Sequence, residues 1–538
     1  MTARHVVVIG GGLAGITAAI ALREAGLGVT VLEARPWLGG ATCSFSRGGL
    51  AIDNGQHIFL RCCTAYRELL ARLGMTGSAT IQERFDVTVL SGAGQHDPGQ
   101  HDAGQHDAGQ HGPRPGRARL RRTALPGPLH MGRALAGYPF LSPGERLGAI
   151  RAALAMRFAD PAAPGLDRQR LGDWLAAHGQ GEHARRMLWD LFIVSTLNIH
   201  GDDANAALAA TVIKTALLGA RDAADIGIPA VPLGDLHGRA AASLLGRLGA
   251  DVRVGTKVTT VAPGPSGGFV VRTAAGAESG AAARGGHADP WSSGGTAGPD
   301  GAGPDGTGPD SAGTAGTGLG GPPAGGPEGP VISADGVVLA VPSGPAARLA
   351  PPAAAGGAAS WAELGSSPIV NVHVIYDRRV TRLPLAAAVD SPVQWVFDKT
   401  SQAGVPAGQY LAVSVSAADS YVDVPVAALR ELFLPALADL FPAAREARVA
   451  DFFVTRERRA TFRQGPGCGS LRPGAATSLP GLALAGAWTD TGWPDTMEGA
   501  VRSGHSAAQV LVSQLAAGPA AQQAAPADAA QAPARAAS

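Results

Sequence analysis

Three observations predict an α/β fold with a parallel sheet. Apolar runs that read as buried strands ("HVVVIG", "GVTVLEA", "GVVLAVP", "GLALAGAW") alternate with helical segments. A glycine cluster sits at the first strand-to-helix junction. The 538 residues exceed what one compact core holds, so two or three lobes are expected.

The elements follow in order. "HVVVIG" is the first strand, residues 13–26 form a helix ending at Gly26, and "GVTVLEA" is the second strand. Later, "AAASLLGRLGADVRVGTKVTTVAPG" reads as helix, strand, turn, strand. "GVVLAVP" and "GLALAGAW" add buried strands, and "MEGAVRSGHSAAQVLVSQL" is a closing helix. A helical region, about 130–222, and a strand-rich region, about 366–462, lie between them. The expected architecture is a discontinuous Rossmann-type domain from 1–90, 223–273, 331–350 and 476–515. An α+β substrate-binding domain from 119–222 and 351–475 is interleaved with it.

Segments 91–118, 274–330 and 516–538 are low in apolar anchors and cannot offset the entropy of ordering. The first carries the repeat GQHDP-GQHDA-GQHDA-GQH, with His96, His101, His106 and His111. Five-residue spacing with Gly in every unit does not hold four ligands on one helix face, so no metal site is expected.

A net charge of +1 gives no sign of nucleic-acid binding. Almost all cations are Arg, with Lys only at 214, 257 and 399. Cys43, Cys62, Cys63 and Cys468 form no C-x-x-C pair, and a reducing cytosol fits best. The uncharged run "VVVIGGGLAGITAAIAL" mimics a signal peptide, but its glycines argue against a span and no cleavage site follows.

Gly10-Gly11-Gly12-Leu13-Ala14-Gly15 matches G-x-G-x-x-G between a strand and a helix. Gly12 lets the backbone approach a pyrophosphate, Gly15 allows close helix–strand packing, and the helix N-terminus stabilises the phosphates. Glu33, ending the second strand, can accept hydrogen bonds from ribose hydroxyls, which favours FAD or NAD over NADP. Three further stretches favour FAD. Ala34-Arg35 and the pair Gly39-Gly40 would bring a second backbone segment to the pyrophosphate. Val258 could lay its backbone against the adenine. Gly486 ends a late strand, and a helix opening near Thr496-Met497-Glu498-Gly499 would stabilise negative charge at the flavin edge.

The glycine motif, "LEARPWLGG", "DNGQH" and "TGWPDTMEGAVRSG" resemble the amine oxidase/phytoene desaturase group of FAD proteins. More narrowly, "IDNGQHIFLRCCTAYRELLARLG", "LWDLFIVSTLNIHGDDANAALAATVIKTALLG" and "WTDTGWPDTMEGAVRSG" resemble the hydroxysqualene dehydroxylases of bacterial hopanoid synthesis. The likeness runs from Val6 to about Leu515. Two positions depart from the wider group. Ala41 stands where Arg often follows the Gly-Gly pair, and Ala487 where an acid often holds the ribityl-pyrophosphate end; Asp490 could take that job.

The resemblance implies reduction of hydroxysqualene to squalene. Removal of an allylic hydroxyl is easiest if the C–O bond ionises and the cation then takes hydride from reduced flavin. Such a site needs a proton donor, an apolar channel and few nucleophiles. Candidate donors are His57, Asp53, Asp490, Asp495 and Glu498. His57 lies in the segment expected at the flavin, with an ordinary pKa suited to proton delivery near neutrality. An orienting role for it fits equally. Asp53 reads as a turn-holding residue, and Asp495 and Glu498 also suit a helix start. Gly55, Gln56 and His57 would line the flavin site. Residues 186–220 would line a hydrocarbon tunnel or form plain core, and Trp488 and Trp493 would flank the flavin edge or simply pack.

Redox direction stays open in the sequence: an isoprenoid desaturase or amine oxidase fits the same fold. So does a prenyl-lipid carrier without flavin, which the intact glycine motif and Glu33 oppose. The lipophilic substrate implies peripheral contact with a membrane, yet no strong amphipathic basic helix stands out.

Overall fold

The computed structural model describes residues 4–92, 116–275, 328–354 and 358–522. The histidine repeat and most of the other two low-complexity stretches lie outside the described residues.

A five-stranded parallel sheet runs Asp251–Arg253, Gly28–Leu32, His5–Ile9, Gly336–Leu339, Leu482–Leu484. Residues 6–9 of strand His5–Ile9 are all apolar because both faces are covered. Val6 and Val8 pack with helix Leu13–Glu24 and the closing helix Met497–Gln522. Val7 and Ile9 face the other way, into a cluster with Val258, Val261, Phe269 and Val271 of an antiparallel meander. That meander consists of Val258–Pro263, Phe269–Ala274 and Glu328–Ala334. Ala274 pairs with Glu328, which joins the second and third strands of the meander.

A second, seven-stranded sheet has the order Val449–Thr461, Ser367–Tyr376, Gln409–Val415, Trp395–Asp398, Leu385–Val389, Asp86–Ser91, Gly116–Arg121. Its last two strands depart from the expected boundaries. Asp86–Ser91 was expected with the first unit but pairs with Leu385–Val389. Gly116–Arg121 starts inside the stretch expected to be low-complexity. Alternation explains both: Val87, Val89, Ala118 and Leu120 point into one cluster with Tyr138, Leu141, Met187 and Leu191 of the helical region.

Candidate active site

The glycine loop is tied down from two sides. Gly10 donates its N–H to Leu32 O at 2.8 Å, and Gly11 donates to Glu33 Oε2 at 2.6 Å. Glu33 is buried, and its Oε1 accepts the Arg35 N–H at 2.8 Å. Each carboxylate oxygen keeps a lone pair for a ribose hydroxyl. Ala34 and Arg35 are exposed beside it. A second segment crosses the loop: Gly39 donates to Gly11 O at 2.8 Å, and Arg35 Nη1 holds Gly40 O at 3.1 Å.

Two glycines of the motif have different jobs. A Cβ on Gly15 would lie 1.9 Å from Gly10 O, so Gly15 is required by packing against the turn. A Cβ on Gly12 would meet only Gly40 Cα, at 3.8 Å. The open side of Gly12 lies at the N-terminus of helix Leu13–Glu24, where Leu13 and Ala14 supply the first turn. That is an anion cradle. Val258 is buried opposite Thr273, next to a register irregularity.

The polar turn 53–57 is built around a buried ion pair. Asp53 Oδ2 lies 3.1 Å from Lys399 Nζ and accepts from Gln402 Nε2 at 2.8 Å. Its Oδ1 accepts from Ser44 Oγ at 2.7 Å and the Leu233 N–H at 2.9 Å. The carboxylate is therefore fully engaged. Gly55 packs beside the His57 ring. Gln56 differs: both its amide atoms are buried without a partner among the described residues. A buried orphan amide is costly, and it points to a group that should complete it.

His57 departs from expectation. Removal from water holds its pKa down to about 4, with Lys399 adding to the effect and Asp53 opposing it. At neutral pH it is an uncharged imidazole, not a cationic acid. Two further histidines share this interior. His237 accepts or donates at 2.8 Å to Tyr66 Oη, and His373 at 2.7 Å to Tyr410 Oη. Burial lowers both to about 3.

At the other end, Gly486 takes φ of +145° and donates its N–H to Ser503 Oγ at 2.8 Å. The following loop is shaped by Arg472, whose buried guanidinium donates to the carbonyls of Ala487 at 3.1 Å, Trp488 at 3.3 Å and Trp493 at 2.8 Å. Asp490 is exposed, and its Oδ1 accepts the Gly492 N–H at 3.2 Å, closing its own turn. Thr496 caps the closing helix by accepting the Gly499 N–H at 3.2 Å, and Met497 is its first residue.

Glu498, expected as an acid or a flavin contact, is committed elsewhere. Its carboxylate accepts the N–H groups of Ala65 at 3.2 Å and Tyr66 at 2.8 Å, capping helix Thr64–Arg72. Arg502 Nε completes it at 2.8 Å. Trp488 likewise belongs to the core: its Nε1–H donates to Val341 O at 2.9 Å and its ring lies 5.7 Å from Trp361. Trp493 carries the Arg502 guanidinium 4.7 Å above its ring. Trp189, Ile193, Leu197 and Leu208 of the expected tunnel segment also pack in a core cluster.

Asp495 is the acid the site leaves available. Its Oδ2 accepts only the Phe462 N–H, at 2.9 Å, among the described residues, and burial raises its pKa to about 6. A cavity of about 400 Å³ opens nearby between Ile199, Leu364, Arg463, Gly465 and Leu471. Ile199 and Asp203 bring the expected tunnel segment to it, but none of the expected catalytic or cofactor-binding residues lines it.

Lys399, Arg472, His237 and His373 were missed by sequence reasoning. Lys399 had one signal, as one of three lysines in a chain that otherwise uses Arg. Nothing local marks the others, since their partners are distant in sequence.

An open cradle at a helix N-terminus, a ribose-competent Glu33 and an orphan amide at Gln56 fit a flavin dinucleotide. Residues 13–288 and 325–512 match the family described as flavin containing amine oxidoreductase. The chain belongs to that family. It is an FAD-dependent oxidoreductase. A hydroxysqualene dehydroxylase of Rhodopseudomonas palustris is 28% identical over 94% of this chain and 98% of that protein. A second, from Sinorhizobium fredii, is 35% identical over 34% of this chain and 39% of its own. A zeta-carotene desaturase of Synechocystis matches at 29% over only 20% of the chain and 22% of its own. Among solved structures, putrescine oxidase bound to putrescine aligns with a TM-score of 0.61 at 18% identity, covering 95% of this chain and 99% of that one. That last likeness speaks to the fold alone.

Proposed function

We propose that this flavoenzyme reductively removes the hydroxyl of a hydroxysqualene-like isoprenoid, giving squalene in hopanoid or triterpenoid synthesis. The observation that carries the reading is the end-to-end likeness, over 94% of the chain, to a hydroxysqualene dehydroxylase. The desaturase relatives match between 16% and 28% of the chain, which supports the dehydroxylase over the desaturase reading.

In this reading the C–O bond breaks, the oxygen leaves as water with one added proton, and carbon gains hydrogen in its place. Bound FAD in its reduced form would supply the electron pair and is then recharged by an external reductant. The chain's residues do the rest. Gly10, Gly12, Leu13, Ala14 and Gly15 hold the phosphates, Glu33 the ribose, and Gly39-Gly40 the far side of the pyrophosphate. The Gln56 amide orients the cofactor and closes its own hydrogen-bond deficit. Asp495 delivers the proton, because removal from water raises its pKa to about 6, close enough to neutrality for part of it to stay protonated as a general acid. Neutral His57 shapes the wall without offering a charge that would repel a cation. The enzyme works in the cytoplasm, at the face of the bilayer that carries such a substrate.

Anaerobic incubation of photoreduced enzyme with hydroxysqualene, followed by product analysis, tests this. Squalene in an amount equal to the reduced flavin is the expected result. Recovery of the starting alcohol alone would sink the reading.

A further inference from the structure

Among the described residues, nine large apolar side chains are conspicuously exposed, and six of them lie between 125 and 158: Leu125, Leu129, Leu147, Ile150, Leu154 and Phe158. Phe158 is 82% exposed. Four sit on one helix, Pro143–Phe158, at positions 147, 150, 154 and 158. At 100° per residue these form a stripe about 80° wide. The opposite side of the same helix, Ala149, Ala152 and Met156, is buried. Ala152 and Met156 pack in the cluster that holds Trp174, Trp189, Ile193 and Leu208 of the helical region. The helix is thus apolar on its inner face and again on its outer face.

Charge flanks the outer stripe. Arg151 lies on one side of it and Arg157 on the other, both exposed. Of the six Arg between residues 121 and 160, Arg122 is buried against Asp225 and Arg121 pairs with Asp86, which leaves Arg133, Arg146, Arg151 and Arg157 against Glu145 and Asp160. The helix end and the loop bearing Leu125 and Leu129 are tied to one turn: Arg157 Nη1 donates to Leu218 O at 2.8 Å, and Arg221 Nη1 to Ala124 O at 3.3 Å. The apolar residues therefore share one corner of the molecule. No described helix is long and apolar enough to cross a membrane.

We propose that helix Pro143–Phe158, with Leu125 and Leu129 beside it, docks on an anionic bilayer. The apolar stripe would enter the headgroup–acyl boundary while the flanking Arg side chains meet lipid phosphates. Charge complementarity selects this occupant over a second copy of the chain: two such Arg-flanked faces would repel each other. The inference deepens the membrane contact that the proposed substrate requires, and it rests on that reading only for its purpose.

The test is flotation of FAD-loaded, full-length enzyme with vesicles of phosphatidylglycerol and phosphatidylcholine, and with phosphatidylcholine alone. Wild type should float with the anionic vesicles and bind the neutral ones at least tenfold less. L154E/F158E should lose at least tenfold in anionic-vesicle binding while keeping its melting temperature and its flavin. R151E should lose several-fold and flatten the salt dependence. Wild type that stays at the bottom of the gradient overturns the proposal. So does L154E/F158E that floats unchanged, or a wild-type dimer that L154E/F158E splits into monomers. The arms carry no isoprenoid, so vesicle binding can succeed where hydroxysqualene turnover fails, and the reverse.

Discussion

The Nζ of Lys399 lies 3.1 Å from Oδ2 of Asp53, and both side chains are buried. The two residues are far apart in the sequence and join the polar turn after strand Leu50–Asp53 to the residue before helix Thr400–Ala403. Removing one partner strands a charge away from water. Asp53→Asn should therefore cost about 3 kcal/mol, at the low end of what breaking a buried pair costs. The double variant Asp53→Asn/Lys399→Met should recover part of that loss. Urea titration of the four proteins as a double-mutant cycle gives the coupling; additive effects would contradict the pairing.

Glu498 is read as the cap of helix Thr64–Arg72, not as an acid. Glu498→Gln weakens charge-assisted hydrogen bonds and should destabilise by about 1–3 kcal/mol. Turnover per bound flavin should stay within about threefold. A drop of a hundredfold in that ratio, with the fold intact, would return Glu498 to the chemistry.

Gly12 and Gly15 should separate cofactor binding from folding. Gly12→Ala meets open space, so the flavin-free protein should melt as wild type while FAD binds at least tenfold more weakly. Gly15→Ala collides with Gly10 O and should lower the melting temperature before any cofactor is added. Equal effects on both properties in both variants would contradict the division.

His237 and His373 are held neutral by burial, at about 3 against an ordinary 6.5. Below pH 6.5 the unfolded chain takes up protons that the native state refuses, so stability falls as pH drops from 6.5 towards 3. Each histidine contributes a slope of up to about 1.4 kcal/mol per pH unit. His57, lowered to about 4, adds to the slope, while Asp495, raised to about 6, and Asp190, raised by burial to about 7, act oppositely above 3.8 and remove part of it. Denaturant midpoints measured from pH 7.5 to 5 should show the decline, and His373→Gln should flatten it. A pH-independent midpoint would refute the assignment.

Asp495→Asn removes the proposed proton. It should slow kcat by about a hundredfold or more, abolish the fall in rate as pH rises through 6, and leave the protein yellow. His57→Gln should preserve that pH limb, because a group at about 4 does not titrate there. If His57→Gln erases the limb and Asp495→Asn does not, the two roles are exchanged.

The nucleotide half was legible because its signals are local. The glycine motif, the strand before it and Glu33 fall within 33 residues, and fold and phosphate chemistry are written in the same stretch. The 53–57 turn was legible only as a polar interruption. Its meaning depends on Lys399 and Gln402, which no spacing rule connects to it. The same holds for Arg472, whose guanidinium gathers carbonyls from the loop fifteen to twenty-one residues later. Helix Pro143–Phe158 was hidden for another reason. Apolar residues occur on both its faces, so the one-sided periodicity that marks an amphipathic helix cancels.

By itself, then, the sequence determined the α/β class, the dinucleotide loop and the family, because hydrophobic period and glycine geometry act between near neighbours. Tertiary structure alone decided the state of the acids. It tied Glu498 to a helix start, paired Asp53 with a lysine, left Asp490 in water and drew Asp495 partly out of it. A carboxylate's chemistry is set by what surrounds it after folding, and for Asp53 and Glu498 those surroundings come from parts of the chain hundreds of residues away.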